Sequence, residues 1–221
     1  MVAALKMNDQ FASRLALHVL TDRSLSRGRD LLTVARAALD GGATVLQLRD
    51  KAASTRTLVE EGVALRALTR ERGALLIVND RIDVALAVDA DGAHVGQDDM
   101  PVALARQLLG PERILGVSAG NLEEASEAVL AGADYLGVGP IYATGSKADA
   151  GPAVGTALLQ ELATRHSLPL VAIGGINAEN VSEVIHAGAT GVAVISAVVS
   201  ANDIAGAAWH LLAAIRSISA R

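Results

Sequence analysis

Cysteine is absent from this chain of 221 residues, which excludes disulfides and thiolate metal sites. Aromatic side chains are scarce, with one Phe, one Trp and two Tyr, so the core must be built from Ala, Val, Leu and Ile. Basic residues do not predominate. The 19 Lys and Arg against 24 Asp and Glu leave a formal net charge of -5, which argues against an extended nucleic-acid surface and leaves room for a local phosphate pocket. A membrane-length apolar run is also lacking. Residues 185–202 carry no Asp, Glu, Lys or Arg, but Gly188, Thr190, Gly191, Ser196, Ser200 and Asn202 interrupt them, so the stretch reads as a strand with its flanks. Residues 1–14 include Lys6, Asp9 and Arg14 and no apolar block. No secretory signal is therefore expected, and the cytoplasm is the expected compartment.

What is present is alternation. Half of the residues (51%) are apolar and 21 are glycine. Short apolar runs, suited to strands buried on both faces, alternate with longer segments of helical period. Eight strands are predicted, at 16–20, 45–48, 75–78, 93–95, 114–117, 135–138, 170–173 and 191–195. The clearest helices are predicted at 30–39 and 56–70, each with an apolar stripe opposite charges. Asn121 and Asn177 read as helix N-caps. Four Gly-Ala pairs, Gly42-Ala43, Gly92-Ala93, Gly132-Ala133 and Gly188-Ala189, are expected at strand starts.

Eight strand-helix units in this length predict a single α/β domain folded as a closed (β/α)8 TIM barrel at 15–221, preceded by a tail or short helix at 1–14. A doubly wound open sheet is the alternative; it is disfavoured because no G-x-G-x-x-G follows the first strand. In a barrel the chemistry sits at the C-terminal ends of the strands.

Gln47, Arg49 and Lys51 alternate after the second strand in Gln47-Leu48-Arg49-Asp50-Lys51, which puts a fan of donors on one side, suited to a diphosphate. A solvated charge run fits the same residues. Asn79-Asp80 ends the third strand, and Asp99 follows the fourth. Two carboxylates without Cys or a His pair suit a hard, oxygen-liganded ion, Mg2+, although each also fits a helix cap. Ser118 ends the fifth strand without partners for a triad. The sixth leads into Thr144-Gly145-Ser146-Lys147, hydroxyls and a cation in a loop that could close over phosphate. Gly174-Gly175 and Ile195-Ser196 follow the last two strands, where barrels frequently hold a phosphomonoester. His94 is placed at the start of the fourth strand, away from the chemistry, and His18 inside the first as a packing residue. Trp209 on the last helix reads as a core or oligomer contact, which leaves a homodimer open.

The ordered set Gln-Leu-Arg-Asp-Lys, Asn-Asp-Arg, Asp-Gly-x-His-x-Gly-Gln-x-Asp, Gly-Val-Ser, Ala-Asp-Tyr-x-Gly-x-Gly-Pro-Ile, Thr-x-Ser-Lys, Ile-Gly-Gly-Ile and Ile-Ser resembles the thiamine-phosphate synthase family over nearly the whole chain. The resemblance implies a barrel that joins a hydroxymethylpyrimidine diphosphate to a thiazole phosphate, with Mg2+, releasing pyrophosphate. It implies Gln47, Leu48, Arg49, Asp50, Lys51, Asn79, Ser118 and Lys147 at the pyrimidine diphosphate. Of these, Arg49, Lys51, Ser118 and Lys147 are expected to serve catalysis, with Asp80 and Asp99 on the metal. Thr144, Gly145, Ser146, Gly175, Ile195 and Ser196 are implied at the thiazole phosphate. This chain departs from the family pattern at Gly120, where His is usual after Ser-Ala, at His18, where Tyr is usual, and at Ser146, which replaces Thr. A thiazole tautomerase of the same barrel family and a non-catalytic phosphate-ligand sensor are the competing readings.

Overall fold

The computed structural model describes residues 9–146 and 151–219. Lys147 and residues 1–8 therefore lie outside the described residues. Eight parallel strands pair in sequence order and close on themselves, β8 against β1. They are β1 (Leu17–Leu20), β2 (Val45–Leu48), β3 (Leu75–Asn79), β4 (Gly92–Val95), β5 (Ile114–Ala119), β6 (Tyr135–Val138), β7 (Leu170–Ile173) and β8 (Gly191–Val194). This is the (β/α)8 barrel expected from the alternation.

Helix α1 (Asp9–Arg14) precedes the barrel. The outer helices are α2 (Leu31–Asp40), α3 (Thr55–Arg72), α4 (Ile82–Ala87), α5 (Val102–Leu109), α6 (Leu122–Leu130), α7 (Gly155–Arg165), α8 (Val181–His186), α9 (Ser196–Val199) and α10 (Ile204–Ser219). Their starts follow local chemistry. Asp30, Ser54 and Asn121 each accept the backbone N–H three residues on, satisfying a donor that the first helical turn leaves open. Asn177 does not cap α8. That position belongs to Asn180, whose Oδ1 accepts the Asn177 N–H while the Asn177 side chain takes that of Glu179.

The helix-to-strand turns repeat one hydrogen-bond pattern. Gly42 N–H donates to Leu39 O and Ala43 N–H to Ala38 O, and the same pair of bonds recurs at Gly132-Ala133 and Gly188-Ala189. This is the Schellman ending, which needs a residue of positive φ; the three glycines have φ of 96°, 96° and 103°. Gly92-Ala93 is different, because it lies within β4. The matching turn there is Asp89-Ala90, with Asp89 at φ 51° in the glycine's place.

The residue after each of these turns closes the lower rim of the barrel. Thr44 Oγ1 accepts Leu17 N–H at 2.9 Å, Asp91 Oδ2 accepts Leu76 N–H at 2.8 Å, Asp134 Oδ2 accepts Leu115 N–H at 2.8 Å and Thr190 Oγ1 accepts Leu170 N–H at 3.2 Å. Each bond satisfies a strand amide that would otherwise be buried without a partner. The lower end is thus closed by hydrogen bonding, and the chemistry-bearing side chains are left to the upper end.

Candidate active site

Residues paired in register across parallel strands point to the same side of the sheet. Asn79, His94, Gly116 and Tyr135 form one such row across β3 to β6, and Ser118 stands two residues above Gly116 on β5. Asn79 and His94 of this row, Ser118 and the loops above them line a cleft of about 780 Å3 at the C-terminal ends of the strands.

Arg49, Lys51, Asn79, Asp80, Asp99, Ser118, Thr144, Gly145, Ser146, Gly175, Ile195 and Ser196 all line this cleft. Gln47 and Leu48 are buried in β2 and do not line it. Asp50 is also outside it. Its Oδ1 accepts the N–H groups of Ala52 and Ala53, and its Oδ2 pairs with Arg23 Nε at 3.0 Å, so it serves the β2–α3 turn. The alternation of Gln47, Arg49 and Lys51 continues the strand period, but only the last two clear the barrel interior.

Two sides of the cleft differ in chemistry. On the β2–β4 side stand the cations Arg49 and Lys51 and the carboxylates Asp80 and Asp99. Lys51 Nζ lies 3.9 Å from Asp80 Oδ2. Asp80 is not the N-cap of α4, a place taken by Arg81. It holds φ 62° with its N–H donated to His94 O at 2.8 Å, a left-handed conformation that Asp tolerates better than most residues. Asp99 Oδ2 accepts Gly96 N–H at 2.8 Å.

On the β6–β8 side the described lining residues are uncharged and rich in hydroxyls. Ser146 Oγ donates to Ser196 Oγ at 3.1 Å, and Thr144 Oγ1 accepts Ser146 N–H at 3.2 Å. The β6–α7 loop lies directly on the end of β7. A Cβ at Gly174 would stand 2.5 Å from Pro140 Cβ, and one at Gly175 would stand 2.7 Å from Tyr142 Cβ, at φ of 101° and 66°. Only glycine fits there.

His94 is a correction. It is the third residue of the four-residue β4, turns inward and lines the cleft. In so short a strand, one residue separates the lower end from the upper. Its Nε2 is 3.0 Å from Ser118 Oγ and its Nδ1 is 3.0 Å from Tyr135 Oη. Gln97, Asp98 and Glu124, which the sequence does not single out, also line the cleft, as does Asn177, expected there only as a helix cap. Extending the two-residue period from His94 to Gly96 was the available signal for the first of these, since Gln97 follows directly. Gln97 Nε2 donates to Ser118 O at 2.7 Å.

His18 points inward from β1 and is fully buried, 5.5 Å from the Tyr135 ring and edge-on to it. Burial pushes its imidazole down to about 3 from an ordinary 6.5. The Leu15 backbone pulls the other way, outside ordinary hydrogen-bond geometry, and among the described residues both ring nitrogens are without a hydrogen-bond partner.

No group of three or more His, Asp or Glu able to hold a metal occurs among the described residues. The donor set that is present, two carboxylates beside two cations on one wall, fits a hard divalent cation that takes its remaining ligands from water and from substrate phosphate.

A family model described as thiamine monophosphate synthase matches residues 17–198. A thiamine-phosphate synthase of Chloroflexus aurantiacus is 59% identical over 199 residues, 90% of this chain and 92% of that protein. One of Moorella thermoacetica is 56% identical over 195 residues, 88% of this chain and 93% of the relative. A solved thiamine phosphate pyrophosphorylase of Pyrococcus furiosus superposes with a TM-score of 0.87 at 45% identity, covering 94% of this chain and 98% of the other. With matches that span the barrel and its cleft-lining segments, this chain belongs to the thiamine monophosphate synthase family.

Proposed function

We propose that this protein condenses 4-amino-2-methyl-5-(diphosphooxymethyl)pyrimidine with 4-methyl-5-(2-phosphooxyethyl)thiazole, or with its carboxylated form, which also releases CO2, to give thiamine phosphate and pyrophosphate. The observation that carries the reading is the division of one cleft into a cationic, carboxylate-bearing wall and a hydroxyl-bearing wall. Two differently phosphorylated substrates can meet between them.

The bond that breaks joins the pyrimidine methylene to the diphosphate oxygen, and its electron pair leaves with the diphosphate. The bond that forms uses the lone pair of the thiazole ring nitrogen, which becomes the thiazolium. No protein nucleophile is required. Arg49 and Lys51 hold the diphosphate and stabilise charge as it develops on the leaving group, and Lys147 adds a third cation in this reading. Asn79 and Ser118 orient the pyrimidine end. Thr144, Gly145, Ser146, Gly175, Ile195 and Ser196 hold the thiazole phosphate so that its nitrogen faces the reacting carbon, which makes the encounter effectively unimolecular. Asp80 and Asp99 are the residues that would hold Mg2+, which when bound supplies charge neutralisation on the diphosphate.

The tautomerase reading needs a histidine free to move a substrate proton. His94 is the histidine in the cleft, and both its ring nitrogens are engaged, by Tyr135 and Ser118. The synthase reading takes the protein as cytoplasmic, given its cysteine-free composition and phosphorylated substrates. It includes no nucleic-acid or membrane partner and allows a homodimer. Among the described residues no helix is long and apolar enough to cross a membrane.

Purified protein given both substrates, with and without Mg2+, and followed for pyrophosphate and thiamine phosphate tests the reading. Both products are expected with Mg2+. Thiazole isomerisation alone would select the tautomerase, and binding without turnover the sensor.

A further inference from the structure

We propose that Tyr135 is a positioning residue whose hydroxyl sets the tautomer of His94, so that Ser118 turns its own proton toward the cleft. The inference rests on the synthase reading for its effect on turnover, and on geometry alone for the hydrogen-bond relay. Tyr135 is fully buried on β6, and its hydroxyl has one hydrogen-bond partner among the described residues, His94 Nδ1 at 3.0 Å. A buried O–H must donate to something, because leaving it unmade costs about 1–3 kcal/mol. The acceptor within reach is Nδ1.

The rest follows from valence. Burial pushes the Tyr135 phenol far above its ordinary range, so it stays protonated and remains a donor. An imidazole that accepts at Nδ1 carries its proton on Nε2 when neutral. That proton points at Ser118 Oγ, 3.0 Å away. Ser118 thereby accepts from below, and its hydroxyl hydrogen is left to be donated into the cleft, where a developing negative charge on a diphosphate oxygen would receive it. Without the Tyr135 hydroxyl the imidazole can take its other tautomer, and Ser118 would then spend its proton on Nε2.

The backbone is shaped around this pair of rings. A Cβ at Gly116 would stand 2.1 Å from Tyr135 Cζ and 2.5 Å from His94 Nδ1, and one at Gly137 would stand 2.7 Å from His94 Cε1. Both positions lie inside strands, where glycine weakens the element and commonly marks a close approach. Here each missing side chain makes room for a ring of the relay. His18 does not compete for the hydroxyl. It meets the Tyr135 ring edge-on, and neither of its nitrogens has a hydrogen-bond partner among the described residues.

The test combines nitrogen-15 NMR of the resting protein with steady-state kinetics. In the wild type, Nδ1 of His94 should show the shift of a bare acceptor nitrogen and Nε2 that of a protonated one. Tyr135→Phe, which keeps the ring, should lose that bias and lower kcat roughly tenfold, with KM for both substrates within about twofold. His94→Gln, whose amide N–H can replace Nε2–H toward Ser118, should retain more activity than His94→Ala. A protonated Nδ1 in the wild type overturns the proposal, as does an unchanged tautomer or unchanged kcat in Tyr135→Phe. Full activity in Ser118→Ala overturns its functional half. Because the tautomer is read without turnover, a failure of the relay is distinguishable from a failure of the synthase reading, which shows first as an inactive wild type.

Discussion

The Arg49 guanidinium lies 3.4 Å from Oδ2 of Asp22, and both side chains are about nine-tenths buried. Asp22 therefore holds one edge of the guanidinium while the rest of the fork faces the cleft, an arrangement a lysine cannot reproduce with a single ammonium. Arg49→Lys should lower kcat/KM for the pyrimidine diphosphate by about tenfold or more, since one charge-assisted hydrogen bond is worth roughly 1.5–3 kcal/mol. Steady-state kinetics with the thiazole phosphate saturating checks it, and an unchanged kcat/KM would remove Arg49 from the diphosphate site.

Asp99 offers a way to separate metal binding from folding. Asn in its place can still accept the Gly96 N–H that now goes to Asp99 Oδ2, so the loop is kept while the charge is lost. Asp99→Asn should raise the Mg2+ concentration for half-maximal rate by about tenfold, and Asp80→Ala should lower turnover about 10²-fold, because several kcal/mol of charge stabilisation are at stake. Chelation of the wild type should abolish turnover reversibly. A metal-independent rate would reject both assignments.

Lys147 follows Thr144-Gly145-Ser146, residues that line the hydroxyl-bearing wall. Its assignment to the leaving diphosphate predicts that Lys147→Ala loses about 10²-fold in kcat, the scale of one well-placed charge on a transition state. Single-turnover measurement of pyrophosphate release checks this, and a near-normal rate would show that Arg49 and Lys51 suffice.

His18 makes the stability of the barrel depend on acid. Its folded value, about 3 against an ordinary 6.5, is depressed, so its contribution is complete above pH 6.5. The contribution is lost as pH falls toward 3, because the unfolded chain takes up the proton first. The loss should approach about 2 kcal/mol at pH 5 relative to pH 7.5. Replacing the ring by an apolar one removes both the titration and the buried polar atoms without partners, so His18→Phe should flatten this slope and be neutral or stabilising at neutral pH. Urea unfolding of both proteins at the two pH values decides it; equal slopes would mean that the ring keeps its ordinary titration when folded.

The lower rim gives the opposite kind of variant. Asp134 accepts Leu115 N–H and pairs with Arg106 Nη2 at 2.5 Å, and neither residue of the pair lines the cleft. Asp134→Ala leaves a strand amide and a guanidinium short of partners, at a cost of roughly 2–3 kcal/mol. The kcat of the folded fraction should stay within about twofold, because the chemistry of a barrel sits at the other end. Denaturant unfolding together with kcat tests this, and a large loss in kcat would tie the lower rim to the site.

Much of the site was legible because strand ends are marked by local sequence. Arg49, Lys51, Asn79, Asp80, Asp99 and Ser118 each follow an apolar run whose end can be seen, and the barrel sends all such ends to one rim. Residues two steps down a strand were harder. Gln47 shares the period of Arg49 and Lys51 yet is buried below them, and His94 looked like the start of a strand only because β4 is four residues long. Whether an inward residue reaches the cleft depends on the stagger of neighbouring strands, which no single segment encodes.

The chain by itself determined the count of strand-helix units, the cap at Asn121, and the glycines that end helices, because these depend on a residue and its near neighbours in sequence. The tertiary structure alone decided that Gly92-Ala93 lies within a strand while Asp89 takes the left-handed turn in its unit. It also decided that Asp50 serves a turn, and that Tyr135, His94 and Ser118, from three different strands, form one hydrogen-bonded line. Those outcomes depend on register between strands far apart in sequence, and closing the barrel fixes that register.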